Sequence, residues 1–258
     1  MTERRKTMTN ADGIPAISVS PQRAPLGLIL HLPAFGQKKE ETRPVLDCLA
    51  ELGFVAVSID SWQHGERGTE DREQLAARVF GNFRRNMWPI LGQTALDVSR
   101  VLDWALAEFD LEAPVTVTGL SMGGDIAIAA AGIDPRIERV VAFASTPDWL
   151  RPGMRDAYDP LRLVPPGEPA LYARFFYDHL DPLTHPDHYA HAPRLHFVCG
   201  EKDTHIPPSG AVRFKAALAE IHPEAAERVS ITLLPELRHL DFRDFDLWRA
   251  PLVDVLSE

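Results

Sequence analysis

The run Gly119-Leu120-Ser121-Met122-Gly123 places G-x-S-x-G between two segments of opposite character. Pro114 to Thr118 (PVTVT) come before it, β-branched and apolar enough for a buried strand. Asp125 to Ala131 (DIAIAAA) come after it, an Ala-rich run that starts a helix. The flanking glycines permit a strained turn and let neighbouring elements approach closely. A serine at the apex of such a turn stands clear of the sheet. The Met122 N–H then points at a substrate oxygen from the start of the helix. Gly124 lengthens the motif. The structural alternative is a turn with an idle serine.

The rest of the chain continues the alternation. Leu26–Leu32 and Phe54–Ile59 read as strands, the first a continuous apolar run suited to a sheet covered on both faces. Lys38–Leu52, Asp71–Trp88 and Ile90–Phe109 read as helices, the last with Leu91, Ala95, Val98, Leu102 and Ala105 on one stripe. Strands at Arg139–Ala144, Arg194–Cys199 and Arg228–Leu234 follow, with helices at Ser209–Ile221 and from Phe242 onward. Alternation of this kind predicts an α/β fold with a mostly parallel, doubly wound sheet. Residues 1–13 are polar and expected to be mobile, and 14–258 to form a single domain. Residues 147–192, rich in Pro and aromatics, interrupt the alternation and read as a small insertion before the strand at Arg194.

A net charge of −10 argues against nucleic acid or an anionic membrane as partner. No apolar run approaches the roughly 20 residues of a membrane helix, and no apolar segment backs the polar N-terminus as in a secretory leader. A cytoplasmic protein acting on small molecules, as a monomer or homodimer, is the expectation. Met8 is a second candidate start. Cys48 and Cys199 form no C-x-x-C pair and read as small buried thiols.

A serine hydroxyl needs a base, and the base needs a carboxylate to fix its tautomer. Partners on this fold follow the serine, on loops after later strands. Gly200-Glu201-Lys202-Asp203 follows the Arg194–Cys199 strand, so Asp203 is the candidate acid, with Glu201 as runner-up and an Asx turn as the structural alternative. His239 is the histidine beyond the last strand and is the candidate base. His205 shares a loop with Asp203 and is badly placed for Ser121. His222 ends a helix and reads as solvated. The second oxyanion donor should come from Pro33-Ala34-Phe35-Gly36-Gln37, with Phe35 favoured over Ala34; His31 just before it reads as structural. Trp62, Trp88 and Trp149 are candidates for the walls of a substrate pocket. Arg84-Arg85 reads as a solvated helix face rather than an anion site.

With these residues in hand, the chain resembles the α/β-hydrolase superfamily from about residue 24 to residue 257. Asp60-Ser61-Trp62-Gln63-His64-Gly65-Glu66-Arg67 looks like the D-x-x-x-H-G-E-R loop of small bacterial esterases and of relatives of the prolyl oligopeptidase family. G-L-S-M-G-G at 119–124 resembles their nucleophile turn, and Gly200 to Asp203 their G-x-x-D acid loop. Two positions depart from the pattern. His31 is followed by Leu32-Pro33 rather than glycine, and Arg238 rather than glycine precedes His239. The resemblance implies hydrolysis of an ester or amide through an acyl-enzyme, with neither cofactor nor metal. His64 and Arg67 are expected to stabilise the turn that aligns the oxyanion loop, the alternative being a loop that flanks the active site and touches substrate.

The leading expectation is a carboxylesterase for small or medium acyl chains, because the 147–192 insertion is short for a lipase lid. A peptidase or acyl-peptide hydrolase is the main alternative. Peptide-selecting relatives usually carry an N-terminal propeller, and only about two dozen residues precede the first core strand. Thioesterase and lactonase chemistry use the same machinery. A binding protein on this fold is a further alternative, opposed by three triad candidates in the right order.

Overall fold

The computed structural model describes residues 6–257. Among them, eight strands form one sheet: β1 (Lys6–Ala11), β2 (Ile14–Val19), β3 (Leu28–Leu32), β4 (Val55–Ile59), β5 (Val115–Leu120), β6 (Ile137–Phe143), β7 (Arg194–Gly200) and β8 (Val229–Leu234). Their order across the sheet is β1-β2-β4-β3-β5-β6-β7-β8. From β4 to β8 every neighbouring pair is parallel, while β2 runs antiparallel to β4 and β1 to β2. The helices are α1 (Arg43–Leu52), α2 (Arg72–Gly81), α3 (Phe83–Glu108), α4 (Met122–Ile133), α5 (Leu171–Leu180), α6 (Ser209–Ile221), α7 (Pro223–Glu227) and α8 (Asp246–Ser257).

The unbroken apolar strands follow from cover on both faces. Leu28, Leu30 and Leu32 of β3 share a core with α3 and α4, whereas Ile29 between them joins α1 and α8. β7 repeats the pattern: Leu195 and Phe197 face the first layer and Val198 the second. Successive side chains of a strand point to opposite faces, so a strand between two helical layers needs apolar residues at every position.

Three expectations are corrected. The described part of the segment 1–13 is a strand rather than a polar tail without secondary structure, because Lys6–Ala11 pairs with Ile14–Val19 in register. Asp12 and Gly13 both take positive φ, 51° and 83°, the geometry of a two-residue hairpin turn. Burial of Ala11 and Ile14 then draws the hairpin onto the sheet edge. The break placed at Pro89 lies instead at Asn82, whose side chain accepts the Arg85 N–H and caps α3. Pro89 sits inside α3. Its missing N–H is tolerated because tertiary packing holds the helix: Trp88, Pro89 and Ile90 are all buried. The last helix begins at Asp246, after a 3-10 turn at His239–Arg243.

The chain between β6 and β7 carries α5 and two 3-10 turns, Pro182–Thr184 and Pro186–Tyr189. It is anchored by buried groups. Asp181 accepts the Trp149 N–H at 2.7 Å, and Tyr189 donates to the Ile128 carbonyl at 2.8 Å.

Candidate active site

β5 delivers Ser121 to the C-terminal edge of the parallel strands. The serine adopts φ 52° and ψ −117°, a strained conformation for a residue with a side chain. The surroundings enforce it. The Ser121 N–H donates to the Phe143 carbonyl at 2.8 Å, and its own carbonyl accepts from Gly124 N, Asp125 N and Ser145 Oγ. The two motif glycines are needed for contact. A Cβ on Gly119 would lie 2.3 Å from the Gly123 carbonyl, and one on Gly123 would lie 2.1 Å from the Leu32 carbonyl oxygen. The head of α4 is thereby pressed against the end of β3, where the 33–37 loop begins.

β7 and β8 bring in the other two groups. Gly200 ends β7, and Asp203 is fully buried in the loop behind it. Asp203 Oδ1 accepts the N–H groups of His205 and Ile206 at 2.9 and 2.8 Å. Asp203 Oδ2 lies 2.8 Å from His239 Nδ1. A carboxylate oxygen can only accept, so Nδ1 carries the proton and Nε2 the lone pair. Nε2 stands 3.0 Å from Ser121 Oγ. The structure brings Ser121, His239 and Asp203 into one hydrogen-bonded row. Glu201 is exposed and its carboxylate faces the Glu236 N–H.

The 33–37 loop lies beside this row. Gly36 takes φ 76°. The Ala34 N–H is occupied by the Gln37 side chain at 3.0 Å. The Phe35 ring is half-buried and packs edge-on against His64 and Phe80, each 5.2 Å away. Beneath the loop lies an ionic cluster built from the D-x-x-x-H-G-E-R segment. Asp60 accepts from Lys39 Nζ at 2.9 Å and from the Lys39 and Glu66 N–H groups at 3.0 Å. Arg67 bridges the Asp60 carbonyl and Asp97. Burial alone would lower the Lys39 ammonium, but Glu66, Glu40 and Asp60 outweigh it and hold its pKa above the usual range. His64 is buried, which lowers its pKa; its Nδ1–H donates to the Trp62 carbonyl at 3.0 Å. These bonds hold a turn together.

Of the three tryptophans, two are corrected. Trp149 is fully buried and Trp88 is 3% exposed, each part of the core between α3 and the 147–192 insertion. They are fixed to each other by the bond from Trp88 Nε1 to the Trp149 carbonyl, 3.0 Å. Large rings in a chain this size go first to the core. Trp62 is half-buried and carries the Arg67 guanidinium over its ring. Arg85 is exposed, whereas Arg84 is half-buried and its N–H holds the Pro166 carbonyl.

The structure adds residues that the sequence reading passed over. Asp125, one turn after Ser121, is fully buried and ion-paired with Arg151 of the insertion. Burial raises its pKa to about 6 against the opposing pull of Arg151. The available signal is an acid heading an otherwise apolar helix. His205 stacks obliquely on His239 with 4.6 Å between ring centres and donates Nδ1–H to the Arg155 carbonyl at 2.6 Å. Burial, with His239 and Arg151 nearby, lowers its pKa to about 3, so it stays neutral.

A serine turn at the centre of a mostly parallel sheet, with an acid and a histidine on later strand ends, defines an α/β-hydrolase. The chain belongs to the prolyl oligopeptidase family, whose model matches residues 45–243. That family is one of serine hydrolases. The chain is similar to the "Probable carboxylic ester hydrolase LipM" of Mycobacterium tuberculosis, 25% identical over 208 residues, which are 72% of this chain and 42% of the relative. The chain therefore spans under half the length of that curated relative. Among solved structures, TT1662 from Thermus thermophilus superposes with a TM-score of 0.69 at 21% identity, over 92% of this chain and 91% of that one. The esterase Pf2001 of Pyrococcus furiosus gives 0.66 at 16% identity, over 99% and 92%. These two likenesses are of fold. No described helix is long and apolar enough to cross a membrane.

Proposed function

We propose that this hydrolase cleaves carboxylic esters of small or medium acyl chains through an acyl-enzyme on Ser121. The observation that carries the reading is the row Ser121 Oγ–His239 Nε2–Nδ1–Asp203 Oδ2, at 3.0 and 2.8 Å. His239 Nε2 takes the Ser121 proton as Oγ attacks the scissile carbonyl, and the same proton then goes to the departing alcohol. Water repeats the sequence to release the acid. Asp203 stabilises the imidazolium formed at each attack. The oxyanion is held by the N–H groups of Met122 and Phe35, the rival Ala34 N–H being tied to Gln37.

The ester preference rests on the ester-hydrolase name of the curated relative and the esterase name of a structural neighbour. The family's name supports a second reading, a peptidase or acyl-peptide hydrolase. A small-molecule substrate, free of nucleic acid or membrane, is part of the proposal. The test compares p-nitrophenyl esters from acetyl to palmitoyl with aminoacyl-anilides, on the wild type and Ser121→Ala. Turnover of acetyl to hexanoyl esters, lost by four or more orders of magnitude in the variant, is expected. Faster turnover of the anilides would reject the ester reading. Equal fluorophosphonate labelling of the alanine variant would reject Ser121.

A further inference from the structure

A row of aromatic rings runs from the oxyanion loop to the histidine. His64 meets Phe35 at 5.2 Å between centres, Phe35 meets Phe80 at 5.2 Å, Phe80 meets His205 at 6.0 Å, and His205 meets His239 at 4.6 Å. Two of its members, Phe35 and His239, are tied to the nucleophile turn. His239 bonds Ser121, and the loop bearing Phe35 begins where Leu32 presses on Gly123. The row therefore links the 33–37 loop to the loop that bears His239. Phe80 is its middle member, supplied by the last turn of α2 rather than by any catalytic loop. Phe80 and Phe35 are half-buried, whereas Phe83 behind them is buried. Rings with centres 5–6 Å apart are already in contact. They leave no slot for a methylene chain, which needs about 4 Å between heavy atoms on each side.

We propose that Phe80 sets the size limit for the unbranched apolar chain a substrate carries beside its scissile carbonyl. The inference rests on the ester-hydrolase reading above and names the residue that decides its substrate range. Cutting the ring back opens the wall between Phe35 and His205. A longer chain can then bury methylenes there, each worth about fourfold in kcat/KM. A larger ring closes the wall further. The chain in question is either the acyl group or the alcohol, and the two are separable by experiment.

The test uses Phe80→Ala, Phe80→Leu and Phe80→Trp in the full chain, with active sites counted by fluorophosphonate titration so that lost folding does not enter the rates. One arm varies the acyl chain of p-nitrophenyl esters from two to eight carbons. The other varies the alcohol of acetate esters over the same range. The smaller side chains should raise the long-to-short ratio of kcat/KM at least tenfold in one arm, and Trp should lower it in the same arm. Ratios within twofold of wild type in both arms would make Phe80 a packing residue and overturn the proposal. If the wild type turns over no ester, the functional reading fails by itself. The rate of Ser121 labelling by alkyl fluorophosphonates of increasing length then reads the same wall, with the same ordering expected. Equal ordering in all variants, or no labelling at any length, overturns the proposal there too.

Discussion

Asp203 and His239 face each other from loops 36 residues apart, with Oδ2 2.8 Å from Nδ1, while Oδ1 of the same carboxylate is held by two backbone N–H groups. This division of labour makes a sharp prediction for Asp203→Asn. The two N–H donors require an oxygen at the Oδ1 position, so the new NH2 must point at His239. The ring then has to present a lone pair at Nδ1 and a proton at Nε2, and it can no longer accept from Ser121. Loss of about four orders of magnitude in kcat with intact folding is expected, the size seen in the serine-protease template. Glu201→Gln should change kcat by less than twofold. A large loss at Glu201 with near-normal turnover at Asp203 would transfer the orienting role to Glu201.

Asp125 and Arg151 tie the insertion to α4, the helix that follows Ser121. Asp125 also accepts the Thr146 N–H at 2.7 Å, so one carboxylate fixes both the loop after β6 and the Arg151 guanidinium. Arg151 lies over the Phe83 ring at 5.0 Å. Asp125→Ala leaves a buried cation without its counter-charge, which costs about 3–5 kcal/mol. For a chain of this length that is a fall in Tm of roughly 10 °C. Asp125→Leu combined with Arg151→Met should recover part of the loss, because no unpaired charge remains, the remainder reflecting the Thr146 N–H left without its acceptor. Calorimetry of the three proteins checks this. A loss at Asp125→Ala that the double variant deepens would show that the pair acts otherwise.

Much of this architecture is legible from local pattern. The PVTVT strand, the glycines around Ser121 and the DIAIAAA helix all state the same turn, and the structure has it at β5 and α4. The G-x-x-D loop and the histidine after the last strand were legible because topology orders them along the chain. Elements decided by tertiary contact were not. The N-terminal hairpin has a polar first strand, and only the Asp12-Gly13 turn and the sheet edge beside it make it a strand. Pro89 reads as a helix end, but α3 has a cap at Asn82 and a buried flank around the proline. The tryptophans could not be sorted into wall and core because composition carries no direction. Asp125–Arg151 joins residues 26 positions apart across the insertion, beyond any periodicity.

Gly123 separates catalytic geometry from stability. Alanine is ordinarily favoured over glycine inside a helix by about 1 kcal/mol. Here its Cβ would meet Leu32 O at 2.1 Å and Pro33 O at 2.7 Å, both backbone atoms. Relief requires α4 to move away from the 33–37 loop, which pulls the Met122 and Phe35 N–H groups apart. Loss of one oxyanion donor is worth about two to three orders of magnitude in kcat. Gly123→Ala should therefore lose activity on that scale while binding of a ground-state ester analogue changes little. Unchanged kcat would mean that the oxyanion is held elsewhere.

His31 offers a pH prediction outside the Ser121–His239–Asp203 row. It is 2% exposed, and its Nδ1 lies 2.8 Å from Thr118 Oγ1. Burial lowers its pKa to about 3, against about 6.5 for an unfolded histidine. A lowered histidine binds its proton more readily in the unfolded chain, so its contribution to stability is complete above about pH 6.5 and is lost as pH falls toward 3. The slope is about 1.4 kcal/mol per pH unit. Asp125 and Asp181, both raised to about 6 by burial, work in the opposite direction. They take up protons in the native state between about pH 4 and 6, and so flatten the whole-protein curve. Comparison with His31→Gln removes that background, since glutamine keeps a partner for Thr118 and takes no proton. Urea unfolding at pH 4, 5, 6 and 7 should show the variant losing less stability on acidification, by about one proton's slope between pH 4 and 6. Parallel curves for the two proteins would place the proton uptake of acid unfolding at other residues.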